Sequence, residues 1–408
     1  MREFADRELW FVGIGGIGMS GIALVAQARG AIVGGSDIRR STITDRLEEN
    51  GIKVVIGHDS RNVPDASEVV VSSAISADNP EAFGREVLHR STILAELLDP
   101  KKSIVVAGAH GKTTTASMIA YCLDRLGDDP TFLIGGEIPQ LGANARNGQG
   151  WTVVEGDESD GSLLELSPTI AVITNIDHDH HSVFASRAQV EKLFEDWLNG
   201  AAADANVVLG DESVLEHDCS ISVPGEHNRL NAACAVRALE YAGFEREKIR
   251  SVITDFTGVS RRLESHGCFG EVLLFDDYAH HPTEIEETLR AIRSSVDFDG
   301  RLIVLFQPHL FTRTAYLAHE FGKSLSFADA VCVTSIYPAR EEPIAGVSEK
   351  LIVNELSAYR PGMRIGLASS LEDAALVVTT WARPGDVILT LGAGDVNESI
   401  QLITERLL

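Results

Sequence analysis

Residues 105–118 read VVAGAHGKTTTASM, and the flanking residues extend this to an apolar run from Ser103, a glycine turn, and a helical pattern that stops at Gly127. Strand, tight turn and helix in that order make a phosphate cradle. The helix start presents N–H groups with no intrahelical acceptor and a partial positive charge, and Gly108 and Gly111 let the backbone approach an anion. Lys112 is placed to reach the β- and γ-phosphates of a nucleotide, and Thr113 to hold Mg²⁺. The general pattern GxxxxGK[ST] needs glycine at 106, where Val106 stands, so the loop is a contracted form, G-x-x-G-K-T.

Working outward, short Val/Ile/Leu-rich runs without alternation recur at 9–13, 53–56, 68–72, 151–155, 169–174, 207–210, 272–276, 302–306, 330–334 and 387–391. Runs of this kind are strands buried on both faces. With helical patterns between them they predict an α/β chain of largely parallel sheets. LLDPKKS at 97–103 and TGVSRRLESHG at 257–267 each precede a fresh strand and mark boundaries. Three domains are expected: 1–99, 100–258 and 259–408. The stretch 211–224 is polar and poorly patterned, and is expected to be loop or a short strand.

The 408 residues are 44% hydrophobic and 23% charged, the balance of a globular protein, with a formal net charge of −25. So acidic a chain does not suit nucleic acid or an anionic membrane. Five scattered cysteines without a CxxC pair fit a reducing compartment and suggest neither a disulfide framework nor a zinc site. Residues 9–28 are long enough to span a bilayer, but five glycines and an acidic N-terminal flank favour strand, turn and helix.

That segment holds a second glycine turn, GIGGIG. Gly13, Gly15 and Gly18 fit GxGxxG, and Asp37 follows at the end of a second strand, where an acid can bind a ribose hydroxyl. Taken alone this suggests a nicotinamide cofactor. Further strand ends carry polar groups. In EGDESDGS, Glu155 is the candidate metal carboxylate, and the neighbouring acids read as solvated loop charges. In NIDHDHH, His180 is the candidate second metal ligand. Asn228 and Asn231, three apart on one helix face, can meet an adenine edge or serve as N-cap. SRRLE offers paired guanidiniums for phosphate. Asp277, His280, His309 and Arg313 follow two strands, DDYAHHP and FQPHLFTR, and outline a pocket in which Arg313 suits a carboxylate.

With these blocks in order, together with SSAISADNPE, VLHRSTILAELL and GEHNRLNAA, the chain resembles the Mur ligase family over nearly its whole length. GIGGIGM and the DDYAHHP/FQPH pair resemble its alanine-adding branch. The resemblance implies a Rossmann-like N-terminal domain for a UDP-sugar, a P-loop ATPase-like central domain, and a Rossmann-like C-terminal domain for the amino acid. It also implies the activity: ATP-dependent joining of L-alanine to the carboxylate of UDP-N-acetylmuramate through an acyl phosphate, the first amino-acid addition in peptidoglycan precursor synthesis. The enzyme would be cytoplasmic, a monomer or homodimer, and use Mg²⁺ or Mn²⁺.

Position by position, the resemblance adds His110 and Thr114 to Gly108, Gly111, Lys112 and Thr113 at ATP, with Asn228, Asn231 and Arg262. It assigns Gly13, Gly15, Gly16, Gly18, Met19, Ser20, Asp37, His58, Ser72 and Ser73 to the UDP-sugar. Thr113, Glu155 and His180 go to metal, and His280, His309 and Arg313 to the amino acid. Lys112, Asp277, His280 and Arg313 are the expected catalytic set. Some members carry Arg where this chain has Leu310, and members usually carry a longer β-rich segment before GEHN. The alternatives are a ligase adding a peptide or another amino acid to the same nucleotide sugar, an NAD-dependent oxidoreductase, and a non-catalytic nucleotide-sugar-binding protein.

Overall fold

A computed structural model describes residues 4–177, 183–217, 219–339 and 341–408. They form three sheets in two compact units, the first comprising residues 1–222 with 229–257 and the second 223–228 with 258–408.

The first sheet takes β1 (Glu8–Val12), β2 (Ile32–Asp37), β3 (Lys53–Ile56), β4 (Glu68–Val71) and β5 (Val87–His89) in the order β3-β2-β1-β4-β5, all parallel. Helix α1 (Ile17–Ala28) connects β1 to β2 and α2 (Thr42–Glu49) connects β2 to β3, while α3 (Arg90–Leu97) follows β5. The order reverses at β1, and such a switch point opens a crevice at the strands' C-terminal ends. Residues 9–28 are therefore β1, a turn and α1. Among the described residues no helix is long and apolar enough to cross a membrane.

The second sheet lies in the same unit. Its strands are β6 (Ser103–Ala107), β7 (Thr131–Ile138), β8 (Ala143–Arg146), β9 (Thr152–Glu155), β10 (Ile170–Ile173) and β11 (Asn206–Leu209), ordered β11-β10-β6-β9-β7-β8. Only the β7–β8 pair is antiparallel. Its helices are α4 (Lys112–Arg125), α5 (Arg187–Asn199), α6 (Glu226–Tyr241) and α7 (Arg246–Ile253). Every residue of β6 is buried, which the unbroken SIVVA run requires. The stretch after β11 is not a strand: residues 212–217 make a short 3-10 helix.

The second unit carries β12 (Glu264–Phe269), β13 (Val272–Asp277), β14 (Leu302–Phe306), β15 (Ala330–Val333), β16 (Arg364–Leu367) and β17 (Val387–Leu391), ordered β12-β13-β17-β14-β15-β16. The β12–β13 hairpin is antiparallel and the rest is parallel. Helices α8 (Pro282–Ser295), α9 (Phe311–Leu325), α10 (Lys350–Tyr359), α11 (Leu371–Trp381) and α12 (Ser399–Leu407) cover both faces. Phe306, Leu389 and Phe321 pack on one side, and Leu305, Ile388 and Val378 on the other. Each such side chain contributes about 1.5–3 kcal/mol by leaving water. Pro282 begins α8, and His281 and Glu284 close a capping box around its N-terminus, so the DDYAHHP segment ends in a fixed corner.

Candidate active site

The loop between β6 and α4 is shaped by two glycines in left-handed or extended positive-φ conformations, Gly108 at 128° and Gly111 at 81°. A Cβ on Gly108 would strike Thr174 and Asn175, and one on Gly111 would strike Asn231. The end of β10 and the face of α6 thus press on the loop from either side. Asn175 fixes it further: its side-chain oxygen accepts from the His110 N–H at 3.0 Å, and its amide donates to the His110 carbonyl at 2.8 Å. His110 Nε2 lies 3.6 Å from Asp177. Thr113 and Thr114 are buried in the first turn of α4.

Lys112 turns back over the loop. Its ammonium donates to the carbonyls of Gly108 and Ala109 and to both oxygens of Glu158, at 2.9 and 3.1 Å. Burial alone would lower the lysine's pKa, but Glu158, aided by Asp157 and Glu155, holds it above the ordinary value. Glu158 is itself only 2% exposed. This corrects the reading of the EGDESDGS acids as solvated charges. Glu158 holds Lys112, while Asp157 and Asp160 hold Arg90 at 2.6 and 3.3 Å. For Asp157, burial pushes the carboxyl up, but Ser159, Arg90 and Lys112 outweigh it and keep it below the usual range.

Glu155 and Thr113 come together as expected for a metal pair. The Thr113 hydroxyl donates to Glu155 at 3.0 Å, and the other carboxylate oxygen accepts from the Gly135 N–H at 2.6 Å. Two adjacent hard oxygen donors suit Mg²⁺. His180 lies outside the described residues. Asn231 abuts Gly111, whereas Asn228 donates its side-chain amide to the Pro224 carbonyl at 2.6 Å, a bond to the turn that leads into α6.

The glycine turn after β1 sits at the crevice of the first sheet. Gly13 has φ 77°, Gly16 is the N-cap of α1, and the Gly15 N–H donates to Asp37 at 2.9 Å. Asp37 therefore braces the turn itself. Met19 and Ser20 are buried; the Ser20 hydroxyl is used on the Ile17 carbonyl and its N–H on the Gly16 carbonyl at 2.8 Å, so of the two only Met19 has a backbone N–H without an intrahelical acceptor. Ser72 and Ser73 follow the end of β4. His58 Nδ1 lies 2.9 Å from the Ser36 hydroxyl. Beneath them Glu81, fully buried, accepts from Ser36, Trp10, Asn62 and the Asp59 N–H.

In the second unit, the ends of β13 and β14 gather the expected residues. The His280 and His309 rings are 5.6 Å apart, Tyr337 stacks on His309 at 5.8 Å, and Arg313 Nη1 lies 3.2 Å from His309 Nδ1. Asp277 accepts from the Leu263 and Ala279 N–H groups at 2.6 and 2.7 Å, so both its oxygens shape the loop. Burial pushes its carboxyl up to about 6 against the pull of Arg262. Arg262 lies over Tyr278 and 3.9 Å from Glu284, and Arg261 grips the carbonyls of Gly392 and Gly394. The sequence reading passed over Glu158, Arg90, Glu81 and Tyr337. The only local hint was that each lies in a turn or helix start beyond a strand's C-terminal end.

Fold and site together define a three-sheet α/β protein in which glycine turns lead from β1 into α1 and from β6 into α4. Three family models match the chain: "Mur ligase family, catalytic domain" over residues 8–102, "Mur ligase middle domain" over 106–214, and "Mur ligase, glutamate ligase domain" over 261–394. The UDP-N-acetylmuramate–L-alanine ligase of Desulforamulus reducens is 40% identical over 96% of this chain and 96% of its own. That of Carboxydothermus hydrogenoformans is 40% identical over 95% and 94%. The crystal structure of the UDP-N-acetylmuramate–alanine ligase of Thermotoga maritima superposes with a TM-score of 0.82 at 28% identity, covering 98% of each chain. A murein peptide ligase of Psychrobacter arcticus shares the fold, with a TM-score of 0.73 at 23% identity. The chain belongs to the Mur ligase family. The first of these alignments runs over 445 positions yet takes in 96% of 408 residues, so roughly fifty of its positions have no residue in this chain.

Proposed function

We propose that this chain is an ATP-dependent carboxylate–amine ligase that joins L-alanine to UDP-N-acetylmuramate, an early step of peptidoglycan precursor synthesis. The observation that carries it is the contracted phosphate loop, with Lys112 at its helix start and the Thr113–Glu155 oxygen pair beside it, in a chain 40% identical over nearly its full length to ligases of that name. A carboxylate resists nucleophiles because of its charge. Transfer of the ATP γ-phosphoryl group to it forms an acyl phosphate and ADP. The alanine amine then attacks the carbonyl and phosphate leaves, giving the amide.

In this reading Lys112 neutralises charge on the transferring phosphoryl group, and the N–H groups of the loop hold the phosphates. Thr113 and Glu155 would hold Mg²⁺, which would supply Lewis-acid stabilisation of the phosphoryl oxygens. The turn Gly13–Gly18 receives the UDP pyrophosphate. Arg313 holds the alanine carboxylate, and His280 takes a proton from the amine. Asp277 positions the loop that carries His280. Domains at 1–99, 100–258 and 259–408 then serve UDP-sugar, ATP and amino acid in turn. The relatives' shared name disfavours the oxidoreductase, the peptide-adding ligase and the non-catalytic protein.

The test is phosphate release with ATP, Mg²⁺, UDP-N-acetylmuramate and a panel of amino acids and peptides. Release that depends on both the sugar nucleotide and L-alanine is expected. Release with a peptide but not with alanine, or none at all, overturns the reading.

A further inference from the structure

We infer that Arg90 is a positioning residue that couples the two phosphate-binding loops, so that filling the glycine turn after β1 tightens ATP at the turn after β6. This rests on the functional reading above, which places a UDP-sugar at one turn and ATP at the other.

Arg90 opens α3 at the C-terminal end of β5, and its side chain is 20% exposed. Nη1 lies so near α1 that a Cβ on Gly18 would sit 3.2 Å from it. Gly18 is in the first turn of α1, whose N-cap Gly16 has no side chain to offer. Ile17, Gly18 and Met19 thus point N–H groups away from any intrahelical acceptor, and the helix end is positive. A guanidinium against that end adds like charge to like, which is unfavourable unless an anion lies close by.

Two anions do, and they come from the other site. Nη2 meets Asp157 at 2.6 Å and Asp160 at 3.3 Å, and His89, the N-cap of α3, lies 3.8 Å from Asp160. Both aspartates belong to the loop after β9 that also carries Glu158, and Glu158 holds the Lys112 ammonium. One guanidinium therefore touches the first helix turn of one cradle and anchors the loop that occupies the lysine of the other. A pyrophosphate on α1 competes with Asp157 and Asp160 for Arg90. As that anchor weakens, the loop yields, Glu158 loosens from Lys112, and the ammonium becomes available to the phosphates of ATP. Linkage makes the effect reciprocal.

The experiment measures the Kd of a non-hydrolysable ATP analogue with Mg²⁺ on the full chain, with and without saturating UDP-N-acetylmuramate, and then the reverse titration. The wild type should show a fivefold or greater tightening in both directions. In Arg90→Gln the factor should fall below twofold, and likewise in Asp157→Asn, which keeps the arginine and stands in should the first variant fail to fold. A merely structural role would weaken each ligand alone and leave the factor unchanged. A retained factor in the variants, or a wild type with no coupling or the opposite sign, overturns the inference. A wild type that does not bind UDP-N-acetylmuramate overturns the functional reading along with it.

Discussion

Single residues carry opposite kinds of tension in this molecule. Leu310 adopts φ 71° and ψ 137°, a conformation L residues avoid, and is held there by its N–H on the Tyr337 carbonyl and its own carbonyl on Thr314. Replacing Leu310 with Gly should relieve that strain and raise stability by about 1 kcal/mol, readable in a denaturant titration. It should also raise the KM for alanine, since His309 and Arg313 flank the strained residue. Asp277 is the second case. Its carboxyl is pushed up to about 6 by burial, so the folded state holds that proton more tightly than the unfolded chain. Its contribution to stability is therefore greatest in acid and declines as pH rises from the ordinary carboxylate range through about 6. For activity the sign is opposite. If the ionised form organises the loop through Leu263 and Ala279, kcat/KM for alanine should climb through a midpoint near pH 6, and Asp277→Asn should abolish that midpoint. An unchanged profile would remove Asp277 from the site. Arg313→Ala should raise the alanine KM tenfold or more with the ATP KM within twofold, and equal effects on both would refute the carboxylate role.

At the scale of elements, the strand–turn–helix form of the loop between β6 and α4 was legible because its pattern is local: an apolar strand, two glycines and a helix start lie within a dozen residues. The same holds for β1, β6, β14 and β17, whose apolar runs are fully or almost fully buried. Other strands escaped for physical reasons. β7 holds two adjacent glycines, β5 has three residues, and β12 is a hairpin strand with no buried residue and an irregular register between Ser265 and Gly267. Glu158 and Arg90 escaped because each acquires its role from a partner 46 or 67 residues away, a pairing no local pattern encodes. The fit of Asn231 against Gly111 gives an element-level prediction. Gly111→Ala forces a side chain into a positive-φ position already faced by Asn231, so ATP affinity should fall by tenfold or more while alanine-induced protection of the second unit from hydrogen exchange persists. Loss of both would mean the turn is needed for folding and not for nucleotide alone.

Over the whole molecule, a net charge of −25 surrounds cradles meant for anionic substrates. In the proposed function, local N–H groups and Lys112 must overcome a repulsive field. Raising ionic strength from about 10 mM to about 150 mM shortens the Debye length from roughly 30 to 8 Å. At constant free Mg²⁺, that should speed association of the sugar nucleotide by about two- to fivefold, where a basic protein would slow. Stopped-flow association rates at several salt concentrations check this, and a decrease would show that the site's own cations dominate the approach.

The grip of Glu158 on Lys112 has one more consequence. A lysine already fully charged before nucleotide arrives has no hydrogen ion left to take up when it does. Calorimetric titration with the ATP analogue in buffers of different ionisation enthalpy should therefore give the same heat at neutral pH, apart from whatever the nucleotide's own terminal group exchanges.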